Sequence, residues 1–177
     1  VIVDDFESSF EATQHLLKLG SKNIALVSTI DNLSVGKLRV GGFKKAMEAS
    51  NLSLNNQLIV IENDIELFDN KLIELFNTKK VDAVFALDEH ASTMAMKFAL
   101  KKGIKIPEEL NIIGFADGVW SRRLTPSLST VSQHAPEIGA KAAELLIHKL
   151  NSKDEFYQPQ TVVIKTELRQ RESTRKL

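Results

Sequence analysis

Short apolar runs, each followed by a segment of helical period, set the tightest limit on what this chain can fold into. Residues 1–3 (VIV), 24–27 (IALV), 58–61 (LIVI), 81–87 (VDAVFAL), 112–115 (IIGF) and 128–131 (LSTV) read as strands. Candidate helices lie between them at 8–19, 36–50, 66–78, 89–102 and 135–150. Gly20 and Gly103 stand where two helices end, and Pro136 stands in a first turn, where its missing N–H costs nothing. Runs without polar alternation suit strands covered on both faces. Strand–helix alternation with short links is the mark of βαβ units. The expected fold is therefore α/β: a doubly wound parallel sheet of about five strands with helices on both faces. A last run, 161–168 (TVVIKTEL), follows a polar loop at 151–159. It is expected as a late edge strand, antiparallel to the rest, with 169–177 as a polar tail.

With 177 residues, 43% of them hydrophobic, the chain suits one domain, or one domain plus pieces of another. Its 23 Lys and Arg balance 23 Asp and Glu, which argues against this segment gripping a phosphate backbone by itself. Cysteine is absent, so there is neither a disulfide framework nor a thiolate metal site, and a reducing cytoplasm fits. No apolar run approaches the ~20 residues of a membrane span, no signal peptide is visible, and no membrane partner is expected. The chain lacks an initiator Met and opens in a strand-like run, so it is expected to begin inside a longer protein.

The stretch 110–134 concentrates the candidate chemistry. Its first strand stops at a turn, Ala116–Asp117–Gly118, and its second begins after Pro126. In open α/β sheets ligands bind beyond the carboxyl ends of strands, which puts 116–120 and Gln133–His134 on a cleft. Asp88–Glu89–His90 stands at another strand end. Helix capping is its first reading, ligand contact the second and catalysis the last. Arg39, one turn into a helix, opposes the helix dipole. Either it has a bidentate partner such as a carboxylate, a phosphate or a vicinal diol, or it lies at the surface. Trp120, the only Trp, either stacks on a ligand, anchors an interface or covers the core edge. One His beside two acids has no second His at ligand spacing, so no metal is expected. Gly41–Gly42 fall inside a helix and make no dinucleotide loop, and no nucleophile elbow occurs. No cofactor and no catalytic residue are expected; the chemistry reads as binding. His15 and His148 are expected at the helix surface. Lys101–Lys102 and Arg122–Arg123 are too short for a nucleic-acid stripe.

Five marks then fall in a recognisable order: HLLKLGSKNIALVS at 15–28, SxxxxRxxGF at 34–43, VDAVFALDEHAS at 81–92, GIKIPEELNIIGFAD at 103–117 and LTPSLSTVSQ at 124–133. Together they resemble the effector-binding core of Lac-repressor-type (LacI/GalR) transcription factors, and more loosely the type I periplasmic sugar-binding proteins. The resemblance runs from about Val1 to Thr174. It implies a two-lobed, periplasmic-binding-protein-like core, of which this chain is mainly the C-terminal lobe. Residues 1–20 would be a remnant of the N-terminal lobe, 21–132 the C-terminal lobe, 133–150 a helix packing with the N-terminal lobe, and 151–177 the final strand and tail. Operator DNA would be bound through segments not in this chain.

Carried over residue by residue, Arg39 matches an Arg that bonds sugar hydroxyls in many members. Leu87–Asp88 stands where sugar-binding members have Asn–Asp, and Ala116–Asp117 where many have Asp–Asp. Gln133 lies where the chain passes between lobes. The expected ligand set is Ser34, Arg39, Asp88, Asp117, Trp120 and Gln133. With two polar partners missing, the effector is expected to be larger, less polar or phosphorylated, a carbohydrate derivative rather than a simple hexose. The resemblance also implies a side-by-side homodimer through helix 91–101 and loop 118–124, with Trp120 or Leu124 near the contact. The leading reading is the effector-sensing and dimerisation domain of a cytoplasmic regulator. The alternatives are a periplasmic solute-binding protein and a doubly wound enzyme or phosphoacceptor domain using Asp88.

Overall fold

A computed structural model describes residues 1–30, 32–115, 117–152 and 158–176. Ala116 of the expected turn, and 153–157 of the expected loop, lie outside the described residues. The elements run β1 (Ile2–Val3), α1 (Asp5–Lys18), β2 (Ile24–Ser28), α2 (Ser34–Ala49), β3 (Ile59–Ile61), α3 (Ile65–Thr78), β4 (Ala83–Ala86) and α4 (Glu89–Lys101). They continue with β5 (Asn111–Phe115), α5 (Val119–Arg123), β6 (Ser129–Ser132), α6 (Ala135–Asn151), β7 (Val163–Ile164) and β8 (Glu167–Arg169). Among the described residues, no helix is long and apolar enough to cross a membrane.

The main sheet has the order β3-β2-β4-β5-β6-β8. Its first five strands are parallel, and β8 pairs antiparallel with β6. Every residue of β2, β4 and β5 is buried, as unbroken apolar runs require. Phe68 and Leu72 of α3 and Ala95 and Ala99 of α4 cover one face. Ala12 and Leu16 of α1 and Phe43 and Met47 of α2 cover the other. The sheet is doubly wound: β3 lies on one side of β2 and β4 on the other, so the order reverses between β2 and β4.

The helix expected at 8–19 with a first lobe starts at Asp5 and packs on α2 and the sheet. Ala12 and Leu16, fully buried, share a core with Ile24 and Phe43. Gly42 permits this approach: a Cβ there would sit 2.2 Å from the Phe6 carbonyl oxygen and 2.8 Å from Ser9 Cβ. His15, expected at the surface, is 7% exposed because it shares an inward stripe of α1 with Ser8 and Ala12. His148 is exposed on α6. The last strand divides in two. Val163–Ile164 pairs in parallel with β1, and Glu167–Arg169 joins the main sheet. Between them the Asp4 carboxylate accepts the Thr166 N–H at 2.9 Å, turning the chain from one sheet to the other. The segment expected as a polar tail is also ordered. Ser173 is buried, its Oγ donating to the Ile112 carbonyl at 2.6 Å and accepting the Ser129 N–H at 2.8 Å.

Two outcomes follow from the α1 packing. Gly42→Ala, which would add stability at an open helix position, is expected to cost about 1–3 kcal/mol in urea unfolding, because it wedges α1 from α2. Burial first, and Lys18 second, lower the His15 pKa below its ordinary 6.5. The unfolded chain then takes up this proton before the folded one, so stability falls as pH drops below about 6.5. Unfolding curves at about pH 7.5 and about pH 5.5 should show this loss, and His15→Gln should remove that part of the slope.

Candidate functional site

All parallel strands present their carboxyl ends on one edge, and the polar residues there divide into two groups. The first sits at the β2/β4 reversal. Asp88, the N-cap of α4, accepts the Ala91 N–H at 2.8 Å with Oδ1 and the Thr29 N–H at 2.7 Å with Oδ2. It caps a helix and closes the gap between the ends of β2 and β4 in one contact. Arg39, 5% exposed, donates Nε to Asp5 Oδ1 at 2.7 Å and Nη1 to the Leu87 carbonyl at 2.7 Å. Its guanidinium lies 3.6 Å from the centre of the Phe115 ring. Burial lowers the proton affinity of this Arg, while Asp5 and Asp88 raise it again; the group remains a cation. Of the two sequence readings of Arg39, the carboxylate partner is thus present, within the chain itself. Ser34, the first residue of α2, is exposed.

The second group surrounds Asp117, whose side chain is 5% exposed. Oδ1 accepts from Arg171 Nη2 at 2.6 Å and from the Ser121 and Thr130 hydroxyls at 3.1 Å each; Oδ2 accepts from Arg169 Nη1. Burial opposes the charge, but these donors, Arg171 foremost, hold the carboxyl down at about 2. Arg169 also donates Nε to Glu167 at 3.0 Å, and Arg171 donates Nη1 to the Leu128 carbonyl at 2.7 Å. The network fastens α5 to the edge strand. Neither arginine is among the residues expected at the site, because 169–177 has the composition of a polar tail. Their signal is Glu167, Arg169 and Arg171 at a spacing of two, which puts them on one face of a strand.

Next to this network opens a cleft of about 500 Å³, lined by Glu89, Asp117, Arg122, Gln133, His134 and Arg169 among others. Gln133 is half-buried on its wall, and His134 takes the left-handed backbone conformation, φ 51°, as β6 gives way to α6. Of the six candidates, only Asp117 and Gln133 line this cleft. Trp120 is 65% exposed on α5 and is not part of its wall. Asp88, Glu89 and His90 do not converge. Glu89 leans against Gly118, and His90 faces Asp69 of α3 at 3.4 Å.

Removing Asp117 leaves the half-buried Arg171 guanidinium without its carboxylate. Asp117→Ala is therefore expected to cost about 3 kcal/mol and to speed hydrogen exchange in 118–124. The depressed carboxyl contributes its full stabilisation above the ordinary carboxylate range and loses it as pH falls through about 2. Acid unfolding of Asp117→Asn should lack this late step.

Comparison with known proteins agrees with this geometry. A family model described as a periplasmic binding protein-like domain matches residues 13–174. The HTH-type transcriptional repressor PurR of Actinobacillus pleuropneumoniae serotype 3 is 32% identical over 182 residues, covering 100% of this chain and 53% of its own length. The HTH-type transcriptional regulator DegA of Bacillus subtilis is 32% identical over 142 residues, covering 80% of this chain and 42% of its own. The chain thus spans about half the length of these relatives. Among solved structures, the Escherichia coli transcriptional repressor ascG superposes with a TM-score of 0.82 at 26% identity, over 97% of this chain and 62% of that one. A LacI family transcriptional regulator from Enterococcus faecium, solved with bound ribose, shares the fold at a TM-score of 0.87 and 24% identity, over 99% and 65%. The chain belongs to the periplasmic-binding-protein-like domains, in the form carried by LacI-type transcriptional regulators.

Proposed function

We propose that this chain is the effector-sensing and dimerisation part of a cytoplasmic LacI-type regulator, binding a carbohydrate or carbohydrate derivative in the cleft at the carboxyl edge. One observation carries the reading: the helix that leads out of the cleft has an uncovered apolar face. The cleft's floor is the β5–β6–β8 edge, and α6, which leads away from it, has no buried residue and leaves Leu146, Ile147 and Leu150 exposed. An amphipathic helix with an uncovered apolar face needs a partner. A first lobe seated on α6 and on the β1–β7 ribbon would cover that face and roof the cleft. The first helix, α1, belongs to the lobe described here, so the division between lobes falls near Asp4, where the Asp4 carboxylate also pairs with Lys165 at 3.2 Å. Closure on a ligand would shift DNA-binding segments outside this chain, provided the ligand binds the two lobe arrangements unequally.

In this reading Gln133 contacts the effector and Asp117 shapes the floor, while Arg39 and Asp88 brace the neighbouring ends of β2 and β4. The regulatory relatives favour this over a transport protein on the same fold, and both Asp88 oxygens are occupied, one capping α4 and the other accepting the Thr29 N–H, which disfavours a phosphoacceptor role. The homodimer would form through α4 and α5, where Val119, Trp120 and Leu100 are exposed.

The test is a thermal-shift screen of carbohydrates on the intact protein, together with retention of DNA from its own upstream region. A stabilising compound that changes DNA retention, and whose affinity falls about tenfold or more in Gln133→Ala, is the expected result. Absence of any stabilising small molecule would overturn the reading. For the dimer, sedimentation equilibrium of the intact protein should give a dimer that Trp120→Glu weakens by at least about 2 kcal/mol; an unchanged dimer removes α5 from the interface.

A further inference from the structure

The parallel strands begin on the edge opposite the effector cleft. A second cavity, of about 220 Å³, opens there between the last turns of α2, the loop 52–58 and the starts of β2 and β3. Phe43, Met47 and Leu58, all buried, form its inner wall, and the half-buried Leu52 and Leu54 its outer one. A protein interior rarely leaves a void much larger than a water molecule, and a cavity of about 150 Å³ lined by such side chains accepts benzene. Two ties keep the wall from collapsing into this one. The Leu52 N–H donates to the Met47 carbonyl at 3.0 Å, and Asn55 Oδ1 accepts the Gln57 N–H at 3.0 Å. Between the ties the side chains alternate, with the leucines half-buried and Ser53 and Asn55 exposed, so the loop roofs the space without filling it.

The mouth of this cavity is polar. Asn23 gives Nδ2 to Asp82 at 3.4 Å, and Asn55 keeps Oδ1 on the Gln57 N–H. An amide acceptor, Asn23 Oδ1, and an amide donor, Asn55 Nδ2, are left without partners among the described residues. Charge at the mouth balances: Lys22 lines it, and the Asp82 carboxylate accepts the Lys22 and Asn23 N–H groups. A neutral occupant fits that balance. The Phe43 ring and the Met47 thioether favour an aromatic body, and Asn23 Oδ1 calls for a donor at its rim.

We infer that this cavity is a second ligand site, for a neutral molecule of one or two aromatic rings that carries a hydroxyl or a ring N–H. The ring packs on Phe43 and Met47, and the polar group donates to Asn23, with Asn55 as a further donor to a hydroxyl. The site shares no residue with the effector cleft and does not depend on that reading. Arg39, Phe43 and Met47 follow one another at a spacing of four along α2, so the occupant bears on the same stripe of helix that carries Arg39 at the carboxyl edge.

The experiment titrates the intact protein with phenol, indole and toluene, by saturation-transfer NMR and thermal shift. Saturable binding of all three, with dissociation constants at or below about 1 mM, is expected. L54W fills the cavity from its partly exposed wall and should weaken each probe at least about tenfold. L52F does so from the neighbouring position and serves where L54W melts early; the melting temperature of each variant without ligand checks the fold. N23L removes the acceptor at similar volume, and should weaken phenol and indole about fivefold while leaving toluene unchanged. If no probe binds saturably, or binding survives in both filling variants, the cavity is not a ligand site. If N23L weakens all three probes alike, or none of them, the polar mouth does not select and the assigned ligand class is wrong.

Discussion

The buried Arg39–Asp5 pair is the contact on which the arrangement of this domain turns. One guanidinium in α2 reaches the first residue of α1 through Asp5, the end of β4 through the Leu87 carbonyl, and the end of β5 through the Phe115 ring. Four elements distant in sequence are thereby set against each other at the carboxyl edge. Charges this deep are tolerated only when their hydrogen bonds are met, and removing one partner exposes the full cost of burying the other. Asp88 does for β2 and α4 what Arg39 does for α1 and β5. Both brace the carboxyl edge, with their polar atoms turned into the protein.

The same logic separates floor from wall. A polar side chain satisfied from within shapes a ligand site; one held in place but partly unsatisfied can bind. Asp117 belongs to the first kind, because two arginines and two hydroxyls surround its carboxylate. Gln133 stands on the segment where the chain leaves the sheet for α6. Under the proposed function, effector contact and lobe movement would share this one short stretch, with the left-handed His134 at its end.

Much of the fold was legible in the sequence because it rests on local patterns. Unbroken apolar runs gave β2, β4 and β5, and glycines marked helix ends. The late strand expected at 161–168 divides: its end contributes to the antiparallel edge strand β8, while Val163–Ile164 pairs in parallel with β1. What escaped depends on partners far along the chain. Nothing in residues 5–18 says that they lie on α2; the close approach at Gly42 does, and it exists only in three dimensions. His15 looked solvated because its neighbours in sequence are polar, and Ser173 looked like tail because its partners, Ile112 and Ser129, are 61 and 44 residues away. At the site, Asp88 was legible as a cap, while the roles of Arg169 and Arg171 needed the β6–β8 pairing that brings them to Asp117.

Hydrogen–deuterium exchange on the intact protein, with and without the compound that binds it, is the most direct test that this edge is the sensing surface. The account predicts added protection at 117–122, 132–137 and 167–171, around the cleft, with the opposite edge at Ser127 and Glu172 unchanged. Protection confined to that opposite edge, or to the exposed face of α3 and α4, would contradict it.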